Sequence, residues 1–148
     1  MKSKIIPDVV PRRNIRTVKL DTTILGCAKV MTEIHVAAMI VVNDVGKLIG
    51  IVTERDMVQR VLAKGLDPVK TTVAKIMTAN PDTLAPDDAA MDALELMTSR
   101  NYRHLPVCED GRCVAMVSIR DLYAAAKAGL EEDIRETEAF VFGDRYGA

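Results

Sequence analysis

The sequence predicts an α/β (α+β) fold of two β-α-β-β-α units packed with pseudo-two-fold symmetry. Two observations carry that expectation. The chain repeats itself, and each copy joins a helix-period apolar face to short continuous apolar runs. The repeat is legible position by position: Thr17, Asp21, Met31 and Thr32 are matched 66 residues later by Thr83, Asp87, Met97 and Thr98. Beyond the central turn the offset falls to 65, pairing Gly46 with Gly111, Val52 with Val117, Arg55 with Arg120 and Asp56 with Asp121. One extra residue, Val45, in Asp44-Val45-Gly46 against Asp110-Gly111 accounts for the change, and hairpin tips are where insertions are tolerated. Two copies of this length are too few and too long for a solenoid. Two globular halves with a cleft between them are expected.

Each element has its own signal. Residues 1–14 read as an arm with Pro7, Pro11 and the basic pair Arg12-Arg13. Thr17-Val18 is a short extended piece. Ile24, Cys27, Ala28 and Met31 then recur at i, i+3, i+4 and i+7, one face of a helix. Ala90, Ala93, Leu94 and Met97 repeat that face after the helix start Pro86-Asp87-Asp88. Met39-Ile40-Val41-Val42 and Leu105-Pro106-Val107-Cys108 are continuous apolar runs, as strands buried on both faces require. Lys47 to Val52 and Arg112 to Val117 return as the second arms of hairpins. A second helix follows in each copy, with Met57, Val58, Val61 and Leu62 answered by Leu122, Tyr123 and Ala126.

Composition narrows the class. A chain of 148 residues buries a real core, as one domain or as two small ones. Its net charge of −1 calls for neither nucleic acid nor an anionic membrane. With no Trp and two Phe, the core must come from Val, Ile, Leu, Ala and Met, and the eight methionines read as gap fillers. The longest apolar run, Val36 to Val42, is far short of the roughly 20 residues of a membrane helix. The N-terminus, with Lys2, Lys4 and Pro7, does not read as a signal peptide. Cys27, Cys108 and Cys113 have no CxxC spacing, so buried free thiols are expected rather than disulfides or zinc ligands. A soluble, cytoplasmic protein is the expectation.

The motifs that close the units resemble a known family. They are Lys75-Ile76-Met77-Thr78 leading into the second copy, the strand His104-Leu105-Pro106-Val107, and Gly50-Ile51-Val52-Thr53-Glu54-Arg55-Asp56 ending the first hairpin. From about Ile15 to Ala128 each copy resembles a cystathionine-β-synthase (CBS) domain, and the whole resembles a stand-alone CBS pair, or Bateman module. Residues 15–74 would be the first CBS domain and 75–129 the second, followed by a helical tail at 130–148. The resemblance implies a non-catalytic sensor that binds adenine nucleotides (AMP, ADP or ATP) in the clefts between the units. It implies no cofactor beyond that regulatory ligand, a homodimer formed side by side through helices, and an effector protein the sequence does not name. Ile24, Met31, Met57 and Val61 and their counterparts are candidates for the dimer faces, although packing within the chain will consume most of them.

The residue chemistry fits such a ligand. A ribose presents two adjacent hydroxyls, and an ionised carboxylate accepts a hydrogen bond from each; Asp56 and Asp121 suit that task. Thr53 and Ser118, at the strand ends, offer a hydroxyl to ribose or to an α-phosphate. Each pair opens a helix, whose first N–H groups and dipole favour a phosphate, and Arg55 and Arg120 lie in the same turns. Copy two adds Arg103 and His104 before its apolar strand, where the resemblance places cationic phosphate ligands; copy one has Ala38 and Met39 there. The Ser118/Asp121 cleft is therefore expected to suit a polyphosphate better. The resemblance also implies that each site borrows the opposite unit's lead-in segment. That segment is Asn14-Ile15-Arg16-Thr17 for Ser118/Asp121 and Met77-Thr78-Ala79-Asn80 for Thr53/Asp56. Ile40, Val41, Pro106 and Val107 would supply apolar contact to the base.

Other readings stay open. Thr53-x-x-Asp56 and Ser118-x-x-Asp121 also fit a capping box, in which hydroxyl and acid only satisfy free N–H groups. His104 alone reads as a surface or partner-paired histidine. A ligand-free interaction scaffold is the runner-up, and an S-adenosylmethionine or NAD sensor the third reading. An enzyme has little support: His35 and His104 lack metal-ligand spacing, and no Gly-rich phosphate loop or nucleophile with a nearby base is present. The tail opens with Glu131, Glu132 and Asp133 and carries Leu130, Ile134 and Val141 on one face, with Phe140, Phe142 and Tyr146. It reads as a helix docking on its own module or on a partner copy.

Overall fold

A computed structural model of the chain describes residues 3–146, with residues 142–146 described in backbone only. Packing divides the chain into two compact units. One takes in Arg13–Thr83 with Pro106–Met116; the other takes in the chain up to Arg12, Leu84–Leu105 and the residues from Val117 onward.

The first unit begins with β1 (Thr17–Lys19), α1 (Ile24–Ile34), β2 (Ala38–Val42) and β3 (Leu48–Thr53). It continues with α2 (Glu54–Met57), which widens into a π-helical stretch over Val58–Leu62, then α3 (Val73–Ile76) and β4 (Thr78–Ala79). The sheet order is β1-β2-β3-β4, with β1 parallel to β2 and the other pairs antiparallel. β2 is buried along its whole length, as its unbroken apolar run requires. Successive residues point to opposite faces of a strand. Met39 and Val41 accordingly join Val18, Ile24, Cys27, Met31, Val52 and Val61 in one core. Ala38, Ile40 and Val42 join Ile51 in a second cluster, against which Ile15, Leu48, Cys113 and Met116 pack.

Local signals fix the helix ends. Thr23 caps α1 by accepting a hydrogen bond from the Gly26 N–H at 3.1 Å. The helix stops at His35 in the left-handed region, φ 58. Asn101, 66 residues later, ends α4 in the same conformation at φ 57. In the first hairpin the Asn43 side-chain oxygen accepts from the N–H groups of Val45 and Lys47 at 3.1 and 2.9 Å. The second hairpin turns on Asp110 and Gly111, both left-handed at φ 54 and 78, the signature of a two-residue type I′ turn. Within the first unit this tip is held by the Leu48 N–H donating to the Gly111 carbonyl at 2.9 Å.

The second unit carries α4 (Ala90–Arg100), the ends of the β5 (His104–Glu109) and β6 (Arg112–Ser118) hairpin, and α5 (Ile119–Tyr146). Ala90, Ala93 and Met97 of α4 and Leu122 of α5 are buried. The lead strand of the second copy is reduced to a single bridge residue, Leu84, and its sheet has two strands. The N-terminal arm is tied down here: Ile5 is fully buried, and the N–H groups of Ile5 and Ile6 donate to the carbonyls of Asp88 and Pro86.

α5 absorbs the tail into one 28-residue helix, about 42 Å long. Leu130, Ile134, Phe140 and Val141 are all more than half exposed. Of the two dockings expected for the tail, on its own module or on a partner copy, these exposures speak against the first, since the described apolar residues are more exposed than buried. The side chains of Phe142 and Tyr146 lie outside the described residues. Among those described, no helix is long and apolar enough to cross a membrane.

Candidate functional site

Both strand-to-helix corners are closed by the same reciprocal bonds. At the first, the Thr53 N–H donates to Asp56 Oδ2 at 2.9 Å and the Asp56 N–H donates to Thr53 Oγ1 at 3.2 Å. At the second, the Ser118 N–H donates to Asp121 Oδ2 at 2.9 Å and the Asp121 N–H donates to Ser118 Oγ at 3.1 Å. Each is a capping box, and the capping expectation is met at both corners. Each helix start is also tied to the residue just before the facing strand. Glu54 N–H donates to the Ala37 carbonyl at 3.0 Å, and Ile119 N–H to the Arg103 carbonyl at 2.8 Å.

The corners differ in what remains of the carboxylate. Asp56 is only 9% exposed, and its Oδ1 lies 3.6 Å from Arg60 Nε, one helical turn on. Arg60 also donates from Nη1 to the Ile76 carbonyl at 2.7 Å, so the guanidinium is held in place. The repeat puts Ala125 where Arg60 would fall in the second copy. Asp121, half-buried, has no ion pair among the described residues. Its Oδ1 keeps its accepting capacity at the start of α5. Sequence reading did not single out Arg60, although its i, i+4 spacing from Asp56 was a signal.

The other candidates are distributed as follows. Arg103 and Arg120 are exposed and His104 is half-buried, and the backbone bond to Ile119 sets Arg103 beside the second corner. Arg55 is half-buried in the first turn of α2. Met77 to Asn80 lie along β3, with Ile51 paired to Thr78, Gly50 paired to Ala79, and the Asn80 N–H donating to the Ile49 carbonyl at 3.0 Å. This brings that lead-in segment to the strand that ends in Thr53. Asn14 to Thr17 belong to the first unit, where Thr17 opens β1 opposite Ile40 and Ile15 packs on the second cluster. Ile40, Val41, Pro106 and Val107 are enclosed in the core, none above 2% exposed.

A groove of about 410 Å³ opens in the first unit beside α1 and α2, lined by Met31, Thr32, His35, Glu54 and Met57 among others. It offers a carboxylate and no lysine or arginine, the wrong charge for a phosphate. Ile24, Met31 and Val61 are buried at home, so as expected most of the candidate dimer-face positions are consumed by the chain's own core. Among the described residues no cluster of three or more His, Cys, Asp or Glu could hold a metal ion.

Comparison with known proteins agrees with the repeat. The CBS domain profile matches residues 6–63 and 73–128. The CBS domain-containing protein CBSCBSPB2 of Arabidopsis thaliana is 34% identical over 123 residues, covering 83% of this chain and 23% of that protein. The chain thus spans about a quarter of the length of such relatives. Among solved structures, a CBS-domain protein of Burkholderia ambifaria, assigned provisionally to signal transduction, aligns with a TM-score of 0.78 at 32% identity. That alignment covers 85% of this chain and 95% of that one. CBSX2, solved in complex with AMP, aligns with a TM-score of 0.72 at 22% identity, covering 84% and 97%; at that identity the likeness is one of fold.

Proposed function

The chain belongs to the CBS-domain family, with two CBS domains in tandem, and from that premise we propose that it is a non-catalytic sensor of adenine nucleotides. The ligand is AMP, ADP or ATP, and the principal site is the Ser118/Asp121 corner. One observation carries the reading: Asp121 Oδ2 is spent on the cap, while Oδ1 meets no cation among the described residues. A carboxylate oxygen so placed accepts from a ribose hydroxyl. The start of α5 and the guanidinium groups of Arg103 and Arg120, with His104, favour the phosphate that follows. CBSX2 holding AMP on the same fold supports this choice of ligand class.

At the Thr53/Asp56 corner, Asp56 already faces Arg60, so that corner serves mainly as a structural cap and binds nucleotide more weakly. Arg103 and Arg120 disfavour the sulfonium of S-adenosylmethionine and favour a polyphosphate. Binding acts by differential affinity for two arrangements of the protein, and the output passes to an effector protein. Self-association into a homodimer belongs to the same reading; sedimentation at the 16.2 kDa of one chain at micromolar concentration would remove it. The second reading is a ligand-free scaffold, favoured by the complete capping boxes at both corners. Calorimetric titration with AMP, ADP and ATP separates the two: the sensor gives saturable heat whose tighter component is lost in Asp121→Ala, and the scaffold gives none.

A further inference from the structure

Cys108 and Cys113 stand opposite each other across the second hairpin. The two-residue turn Asp110-Gly111 makes Glu109 and Arg112 the pair that closes it, and antiparallel pairs alternate between hydrogen-bonded and non-hydrogen-bonded. The next pair, Cys108 with Cys113, is non-hydrogen-bonded. The first hairpin gives the same register directly: Val42 pairs with Leu48 next to a bulge. The repeat offsets carry Val42 onto Cys108 and Leu48 onto Cys113. Non-hydrogen-bonded partners have Cα atoms about 4.5 Å apart, inside the span a disulfide bridges.

The side chains bear out the pairing. Both thiols are half-buried rather than enclosed, and each lies close enough to perturb the other's ionisation. The Ala115 carbonyl oxygen lies 3.1 Å from Cys113 Sγ and competes with Cys108 for its single S–H. The bond from Cys113 holds the Cys108 thiol below its usual range, while the same bond and burial raise Cys113. That is the division of labour between an attacking and a resolving cysteine. Cys27 lacks it: its side chain is fully buried, with Sγ 3.9 Å from the Met31 sulfur.

We propose that Cys108 and Cys113 form a reversible redox pair, closed to an intrachain disulfide by exchange with a small-molecule disulfide and reopened by a dithiol. The Cys108 thiolate attacks one sulfur of the small disulfide, whose S–S bond breaks and releases one thiol. Cys113 then gives up its proton and attacks the Cys108 sulfur of the mixed disulfide, expelling the second thiol. Two protein thiols are oxidised, one small disulfide is reduced to two thiols, and both protons leave on those thiols. The proposal is independent of the nucleotide reading.

The test is equilibration of the full chain with oxidised glutathione, alkylation of the remaining thiols and tryptic digestion. Trypsin cuts after Arg112, between the two cysteines, so the bridge appears as peptides 104–112 and 113–120 linked together. The expected result is that linked pair, with Cys27 alone alkylated and all three thiols recovered after dithiothreitol. Cys113→Ser should stop at a glutathione adduct on Cys108. Three alkylatable thiols after oxidation would overturn the proposal, and so would separate stable adducts on both cysteines or a bridge that includes Cys27.

Discussion

Asp56 Oδ1 lies 3.6 Å from Arg60 Nε, four residues further along the same helix, and this pair separates two corners that are otherwise copies. The carboxylate is nearly buried and already accepts the Thr53 N–H, so a nucleotide reaching it would have to displace an arginine that is itself anchored to the Ile76 carbonyl. Where the second copy carries Ala125, Asp121 has no such partner. Both halves carry the same cap, and the matched residues one turn on, Arg60 and Ala125, make the difference between them.

The two aspartates should therefore differ in what they contribute to stability. Asp56→Ala removes a cap bond and an ion pair whose guanidinium is exposed, a loss of about 1–2 kcal/mol. Asp121→Ala removes only the cap, about 1 kcal/mol. Urea unfolding of both variants checks this, and equal costs would contradict the asymmetry.

Stability should also fall in alkali through Cys27. Burial pushes its thiol up from 9.0 to about 11, so the folded state holds a proton that the unfolded state releases. The stabilisation is complete below pH 9 and is lost as pH rises toward 11, by about 2–3 kcal/mol. Unfolding free energies measured from pH 8 to 11 should fall more steeply for the wild type than for Cys27→Val. Parallel curves would contradict it.

Gly50 of β3 pairs with Ala79 of β4. A Cβ there would lie 3.1 Å from Met77 Cγ and 3.2 Å from the Thr78 carbonyl oxygen, tighter than packed atoms accept. Gly50→Val should cost about 1–3 kcal/mol and speed hydrogen exchange of the Asn80 amide, which bonds Ile49 across this edge. Unchanged exchange would mean that the lead-in segment does not depend on the missing side chain.

The exposed face of α5 should be nearly silent in the isolated chain. Ile134→Ser, Phe140→Ser and Val141→Ser remove apolar groups that bury little, so each should shift unfolding by no more than about 0.5 kcal/mol at low concentration. A larger, concentration-dependent loss would show that a second copy covers this face.

The repeat, the α1 and α4 faces and the double burial of β2 were legible because period-3.6 and continuous apolar patterns report packing directly. The matched caps were legible as Thr-x-x-Asp and Ser-x-x-Asp. The continuity of α5 was obscured by Gly129 and the acidic run at Glu131, which resemble an end and a new start. A lone glycine costs a helix only about 1 kcal/mol, and no proline follows to stop it. The Asp56–Arg60 pair was hidden for another reason: composition at i, i+4 does not say whether a side chain turns toward its neighbour or toward solvent. The facing of Cys108 and Cys113 depends on strand register, which a spacing of five residues leaves undetermined until the turn is known. The adenine contacts come only through family resemblance, because backbone recognition leaves no mark on side chains.

The most direct measurement is thermal unfolding with AMP, ADP and ATP on the wild type, Asp56→Ala and Asp121→Ala. A ligand at 100 times its dissociation constant adds about 2.7 kcal/mol, a midpoint rise of roughly 5–10 °C for this size. The expected result is a rise in the wild type and in Asp56→Ala that is lost in Asp121→Ala. No rise with any nucleotide, or a rise that survives Asp121→Ala unchanged, would contradict the assignment of the site.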